Sequence, residues 1–243
     1  MLWLHALVFF RIAPIIGLLP GFGEQSVPMR IKLILALAFT LVTSPALMPE
    51  LSKVIEEQAV TGHAILAETL VGIVIGIGLR LFLMTLQMAG SIAAQSTSLS
   101  QILGSASVTP LPAMGHLLVT GGLALMMLLG LHLRVAELII HSYRIFPATE
   151  FPAVEAVSQW GVARIAHAFS FGFTLAAPFV LVSVLYNLTL GIINRAMPQL
   201  MVVFVGAPAI TALALFLLML VAPVLLVVWV QGLAAFIANP FGG

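Results

Sequence analysis

Residues 200–237 form a run of 38 positions without a single Asp, Glu, Lys or Arg. As one straight helix this run would be about 57 Å long, nearly twice the hydrocarbon thickness of a bilayer. A helix that is apolar all round is stable only in lipid or inside a larger protein body. The rest of the chain cannot supply that body in water. Of its 243 residues 62% are apolar and 7% charged, against roughly 25% charged in ordinary soluble domains. Lipid or large protein partners must therefore cover much of the surface.

Charges and prolines divide the chain into six apolar runs. They are 2–19, holding Arg11 and Pro14; 33–48, ended by Pro45 and Pro49; and 64–90, holding Glu68 and Arg80. Then come 116–141, with Arg134 and Glu137 near its end; 162–193, broken by Pro178; and 200–237, with kinks or a break predicted at Pro208 and Pro223. The polar stretches 50–63 and 144–160 read as connections. The predicted fold is all-α and polytopic, with long proline-bent helices. The first run lacks a basic leader and an A-x-A site, so it reads as a helix and not as a cleaved signal. A six-span path places Arg30, Lys32 and Arg195 on one side and Lys53, Arg144 and Arg164 on the other, which gives no orientation.

The centre of the chain is neutral. Residues 81–133 carry no Asp, Glu, Lys or Arg, yet 91–115 read SIAAQSTSLSQILGSASVTPLPAMG, rich in Ser, Thr, Gln, Gly and Pro. Irregular backbone at membrane depth requires protein or a water-filled cavity around it. Two readings are open: a pore lining or plug that offers passing chains no fixed charge, or a short connection that happens to lack charges. The pore reading rests on Gln95, Ser98, Gln101, Leu103, Gly104, Pro110, Pro112 and Met114.

Charges inside apolar runs cost at least ~2.5 kcal/mol each near the bilayer centre, so they face partners or water. Arg11, Glu68 and Arg80 are such residues. Glu68 and Arg80, too far apart to pair along one helix, are each expected to meet another helix or another subunit. Arg134 and Glu137 are close enough to pair locally. Gly72 and Gly76 allow close approach of helices, the small-xxx-small device of membrane packing.

Catalytic chemistry finds little support. The chain has no Cys and no Asp, which removes thiol chemistry, thiolate metal sites and the Ser-His-Asp triad. It has no G-x-S-x-G elbow and no phosphate-binding G-x-x-x-x-G-K-[ST] loop. Glu137 and His141 share a helical face, but no third metal ligand accompanies them. No enzyme activity, cofactor or metal is expected, and the net charge of +1 gives no reason to expect nucleic acid.

Residues 190–208, LGIINRAMPQLMVVFVGAP, closely resemble the LG-x-x-NR-x-x-PQ-x-x-VF-x-x-G-x-P stretch of the FliR family of flagellar-type export-gate proteins. Glu68-x3-Gly72-x3-Gly76 followed by Gln87-Met88-Ala89-Gly90 is similar to that family's third helix. Gly130-Leu131-His132 through Ser142-Tyr143-Arg144-Ile145-Phe146-Pro147 resembles its GxH…S[FY]R-x-[FL]P segment. The opening Arg11-Ile12-x-Pro14, Pro20-x2-Gly23 and Val27-Pro28-x-Arg30 also look alike. The resemblance covers nearly the whole chain; residues 99–105 depart from it, lacking the family's Phe-Asp-Pro step.

The resemblance implies a FliP-like part, 1–160, which includes the loop 91–115, and a FliQ-like helical hairpin, 161–243, in one integrated unit. It implies one copy of the chain assembled with FliP-like and FliQ-like subunits and other export components in the bacterial inner membrane, at the flagellar basal body. Such a gate opens for unfolded flagellar substrates, and the loop helps to close it. Asn194, Arg195, Pro198 and Gln199 are then expected in the turn between the hairpin helices. The alternatives are the virulence-type homologue of the same gate and a small-molecule secondary transporter with a midplane site near Glu68 and Arg80.

Overall fold

The computed structural model describes residues 2–57, 62–97, 113–197 and 202–241. Among them are seven α-helices and no strand: α1 (Leu2–Leu18), α2 (Met29–Glu57), α3 (Gly62–Thr97), α4 (Ala113–Leu128), α5 (Leu131–Ile145), α6 (Val154–Ala196) and α7 (Val202–Ala238). The all-α expectation therefore holds, while several predicted boundaries move.

Prolines interrupt less than predicted. Helix α2 runs through Pro45 and Pro49 to Glu57, so the second apolar run and part of the 50–63 connection are one helix. Helix α6 begins at Val154 and passes Pro178, and α7 passes Pro208 and Pro223. A proline removes one amide donor and displaces one carbonyl. The remaining intrahelical bonds persist because an apolar surrounding offers their donors nothing in exchange. Hydroxyls behave alike: Thr40 donates to the Ala36 carbonyl at 2.7 Å and Thr69 to that of Ile65 at 2.8 Å, each satisfied within its own helix.

The break comes at a glycine. Gly130 has φ +72 and ends the apolar run 116–141 as a single rod. Glycine adopts this left-handed conformation without the Cβ penalty of other residues, and α4 and α5 meet there at 73°. Among the described residues four stretches are long and apolar enough to cross a membrane: Met29–Pro49, Gly62–Thr97, Val154–Ala196 and Pro208–Ala238. The bent α4–α5 pair makes a fifth if counted as one span. Helix α1, with 17 residues, is shorter than a full span. Four to five candidate spans thus replace the six-span path.

The helices gather into two compact units that interleave in sequence. One comprises Met1–Phe82, Met126–Ile165 and Gly232–Gly243. Its core contains the fully buried Leu7, Ile12, Ile15, Ile16 and Leu19 of the first helical segment together with Val71, Ile75 and Leu79 of α3. Gly72 and Gly76 give that core its tight seam. A Cβ at Gly72 would collide with the Arg11 backbone carbonyl, and one at Gly76 would lie 2.9 Å from the Leu18 side chain and 3.2 Å from the Pro14 carbonyl oxygen. One turn of α3 is thereby matched to successive turns of α1, the close approach predicted from the glycine spacing.

The other unit comprises Leu83–Leu125 and Ala166–Gln231. It is centred on Trp229, which is fully buried and donates its indole N–H to Thr85 Oγ1 at 3.0 Å. Within it α6 and α7 are tied by the Tyr186 hydroxyl, which donates to the Gly206 carbonyl at 2.6 Å. Ser183 of α6 donates to the Ser96 carbonyl of α3.

Substituting Gly72 by Ala is expected to lower the thermal stability of the detergent-solubilised protein, at a cost of about 1–3 kcal/mol for overpacking against backbone that cannot move aside. Gly161→Ala, in a helix and with open space around it, should instead be neutral or stabilising by up to ~1 kcal/mol. Melting curves of the two variants against the parent check both signs.

Candidate functional site

The polar centre of the first unit is built around two charges that no water reaches. Arg11 on α1 and Glu68 on α3 are both 0% exposed. Arg11 Nε donates to Glu68 Oε2 at 2.6 Å and Nη2 to Oε1 at 3.1 Å, a two-pronged pairing. The remaining donors are also used: Nη1 reaches Ser142 Oγ at 3.2 Å and Nη2 the Phe146 carbonyl at 3.1 Å. The guanidinium lies 3.6 Å from the centroid of the Tyr143 ring, a cation–π contact. Glu68 is equally occupied. Its Oε2 also accepts from the Tyr143 hydroxyl at 3.1 Å, and its Oε1 from the Thr149 backbone N–H at 3.0 Å.

Three helices and one connection meet here. The i, i+4 pattern Leu131, Val135, Leu138, Ile139, Ser142 turns one face of α5 inward, which brings Ser142 and Tyr143 against the pair. Helix α5 ends as Phe146 N–H bonds the Ser142 carbonyl at 2.8 Å, leaving the Phe146 carbonyl to Arg11. Thr149 has φ +67, a rare conformation for a residue with a branched side chain. The buried carboxylate that its N–H meets holds it there. With four donors on its two oxygens, Glu68 has about all its lone-pair sites filled. The geometry is that of a clamp, with both carboxylate oxygens engaged inside the chain.

Arg80 is handled separately. Its Nη1 lies 2.6 Å from Glu24 Oε1, in the turn after α1, and both side chains are about a quarter exposed. Lys32 closes the same turn by donating to the Gly23 carbonyl at 2.9 Å. Glu68 and Arg80 thus each meet another element of their own chain. Glu24, Ser142, Tyr143 and Thr149 were not singled out as site residues from sequence. The signals were the Ser-Tyr-Arg run at 142–144 and a lone Glu in an otherwise uncharged turn. Arg134 and Glu137, close enough to pair locally, form no ion pair with each other among the described residues, and both side chains are exposed on α5. Among the described residues no group of three His, Asp or Glu is placed to hold a metal.

The neutral loop is shorter than 91–115. Gln95 lies in the last turns of α3, and Met114, largely buried, in the first turn of α4. Ser98, Gln101, Leu103, Gly104, Pro110 and Pro112 lie outside the described residues. Likewise Asn194 and Arg195 belong to the last turn of α6 and are exposed there, so they precede the inter-helix turn rather than form it. Pro198 and Gln199 lie outside the described residues.

Removing one member of a buried pair leaves the other charge uncompensated, at a cost of about 3–5 kcal/mol. Arg11→Met and Glu68→Met are each expected to lower thermal stability by that amount. The double variant should cost clearly less than the two singles added together. A melting-temperature series over the four proteins measures this coupling, and additive losses would refute the clamp.

The chain matches the family described as bacterial export proteins, family 1, over residues 2–236. It is 34% identical to the flagellar biosynthetic protein FliR of Caulobacter vibrioides, over 93% of this chain and 91% of the relative. To the FliR of Bacillus subtilis it is 27% identical, over 91% and 87%. To that of Escherichia coli K12 it is 26% identical, over 88% and 82%. With its ion-paired core carried on helices that the match spans almost end to end, the chain belongs to the bacterial export proteins, family 1.

Proposed function

We propose that this chain is a structural subunit of a flagellar protein export gate, which forms and closes a channel for unfolded substrates and carries out no chemistry itself. One observation carries the reading. Helices α6 and α7 have 43 and 37 residues, yet in the most apolar stretch of each only 33% and 22% of residues are buried within the chain. Apolar helices this long and this bare call for a cover, and a ring of sister subunits supplies one over their whole length where a ~30 Å hydrocarbon layer does not. The relatives named as flagellar biosynthetic proteins support the flagellar setting, in the bacterial inner membrane at the basal body.

On this reading the partners are FliP-like and FliQ-like subunits with other export components. The FliP-like part corresponds to 1–160 and the FliQ-like hairpin to 161–243, one copy of the chain being present per gate. The uncharged segment between α3 and α4 closes the channel. The secondary-transporter alternative loses its proposed site, because Glu68 and Arg80 are both engaged in ion pairs inside the chain. The virulence-type relative is the nearer alternative, and the flagellar names of the matched proteins favour the flagellar form.

Purification in mild detergent is expected to recover the chain in a large hetero-oligomer with one copy per particle. A homogeneous monomer or dimer that takes up solutes on its own would overturn the proposal. Deleting about six residues within 98–104 in an assembled gate should raise the passive leak of ions across the membrane, read by dye release from vesicles. An unchanged barrier would refute the closing role.

A further inference from the structure

Past the last turn of α7 the chain folds back onto the connection between α5 and α6, all within the first unit. Asn239 N–H still bonds the Ala235 carbonyl at 3.1 Å, and Pro240 is buried. The Pro240 carbonyl accepts the Trp160 indole N–H at 2.8 Å. The Phe241 ring then stands edge-on to Phe146, 4.8 Å between centroids, and 5.1 Å from the ring of Trp160. Trp160 has a seat of its own on α3. A Cβ at Gly78 would lie 3.1 Å from its ring and 2.6 Å from that of Phe236, so the glycine makes room for both aromatics.

What Phe241 presses on matters for the buried charges. Phe146 supplies the carbonyl that accepts from Arg11 Nη2, and Thr149, three residues on, gives its amide to Glu68. The connection that carries both groups is weakly built. Residues 146–153 are not helical, and Pro147, Glu150 and Phe151 are exposed. Thr149 keeps a left-handed backbone, φ +67, against its own preference. Strain and exposure together mark a segment that opens more readily than the helices around it. Its far end is pinned where the His63 ring meets Phe151 at 4.6 Å. Its near end, beside Arg11, is pinned by Phe241.

We propose that residues 239–241 are a latch for the buried ion pair. Seated, the latch fixes the near end of the connection and so holds the Phe146 carbonyl on Arg11 and the Thr149 amide on Glu68. Lifted, the connection opens by itself: the pair loses those two hydrogen-bond partners while the surrounding helices stay packed. Phe241 acts on the charges through Phe146, as a positioning residue. The inference does not depend on the export role.

The test is the local reactivity of a thiol in the full chain, purified in mild detergent. The chain has no Cys, so Ala148→Cys places a single thiol in the connection, at a position only 9% exposed. A water-soluble maleimide should label it slowly. Adding Phe241→Ala should speed that labelling roughly tenfold, the scale of one lost aromatic pair. Trp160→Phe, which keeps a ring and drops the donor to Pro240, should give a smaller rise, about threefold. A thiol at Ala36→Cys, buried on α2 in the same unit, should label at the same slow rate with or without Phe241→Ala. Hydrogen exchange of the peptide holding Thr149 needs no thiol and should quicken in the Phe241→Ala variant alone. Unchanged labelling and exchange at 148–149, or equal acceleration at Ala36→Cys and Ala148→Cys, would overturn the proposal.

Discussion

The contact between the Arg11 guanidinium and the Glu68 carboxylate is made where no solvent reaches either group, and the first compact unit is arranged around that fact. Burying two charges is costly unless every donor and acceptor finds a partner. The structure meets this condition with groups drawn from far along the chain: Ser142 and Tyr143 of α5, the Phe146 carbonyl and the Thr149 amide. Gly72 lets the α1 backbone lie directly on α3, one turn from Glu68, so the pair can close. Thr149 holds a left-handed backbone conformation to deliver its N–H. A local rule of backbone preference is broken at the place where a buried carboxylate needs a donor.

The two charges at the centre of the first unit are spent on each other. Arg80 is likewise tied to Glu24. Along α6 and α7 many large apolar side chains face outward, among them Phe169, Phe173, Leu181, Leu185, Phe216, Met219 and Leu220. Such a surface offers a neighbour no fixed charge and can be shared by many contacts. Helix α5 instead leaves His132, Arg134, Glu137, His141 and Arg144 exposed. The surfaces divide by chemistry: saturated polar groups hold the core of the first unit, and α6 and α7 leave long apolar faces bare.

Much of this was legible in the sequence. Apolar runs without charges pointed to helices in lipid or protein, and the spacing of Gly72 and Gly76 pointed to close helix approach; in the structure a Cβ at either would meet α1. Arg11, Glu68 and Arg80 stood out as charges requiring partners. Their partners did not, since Ser142, Tyr143 and Thr149 are ordinary residues until the fold carries α5 beside α1 and α3. Helix ends were misplaced for a related reason. Proline is a strong breaker where water can take up the freed groups, and in a dry setting α2, α6 and α7 run past Pro49, Pro178 and Pro223. The bend fell instead at Gly130, where the chain needed positive φ.

The central claim is that the bare outer faces of α6 and α7 are built for protein neighbours. The absence of cysteine makes it directly measurable. Single cysteines placed at Phe216 and Met219, 64% and 80% exposed in the isolated chain, can be reacted with a lipid-soluble maleimide in membranes. The account predicts fast labelling when the chain is expressed alone and strong protection once the full set of export components is co-expressed. Equal labelling in the two conditions would contradict it.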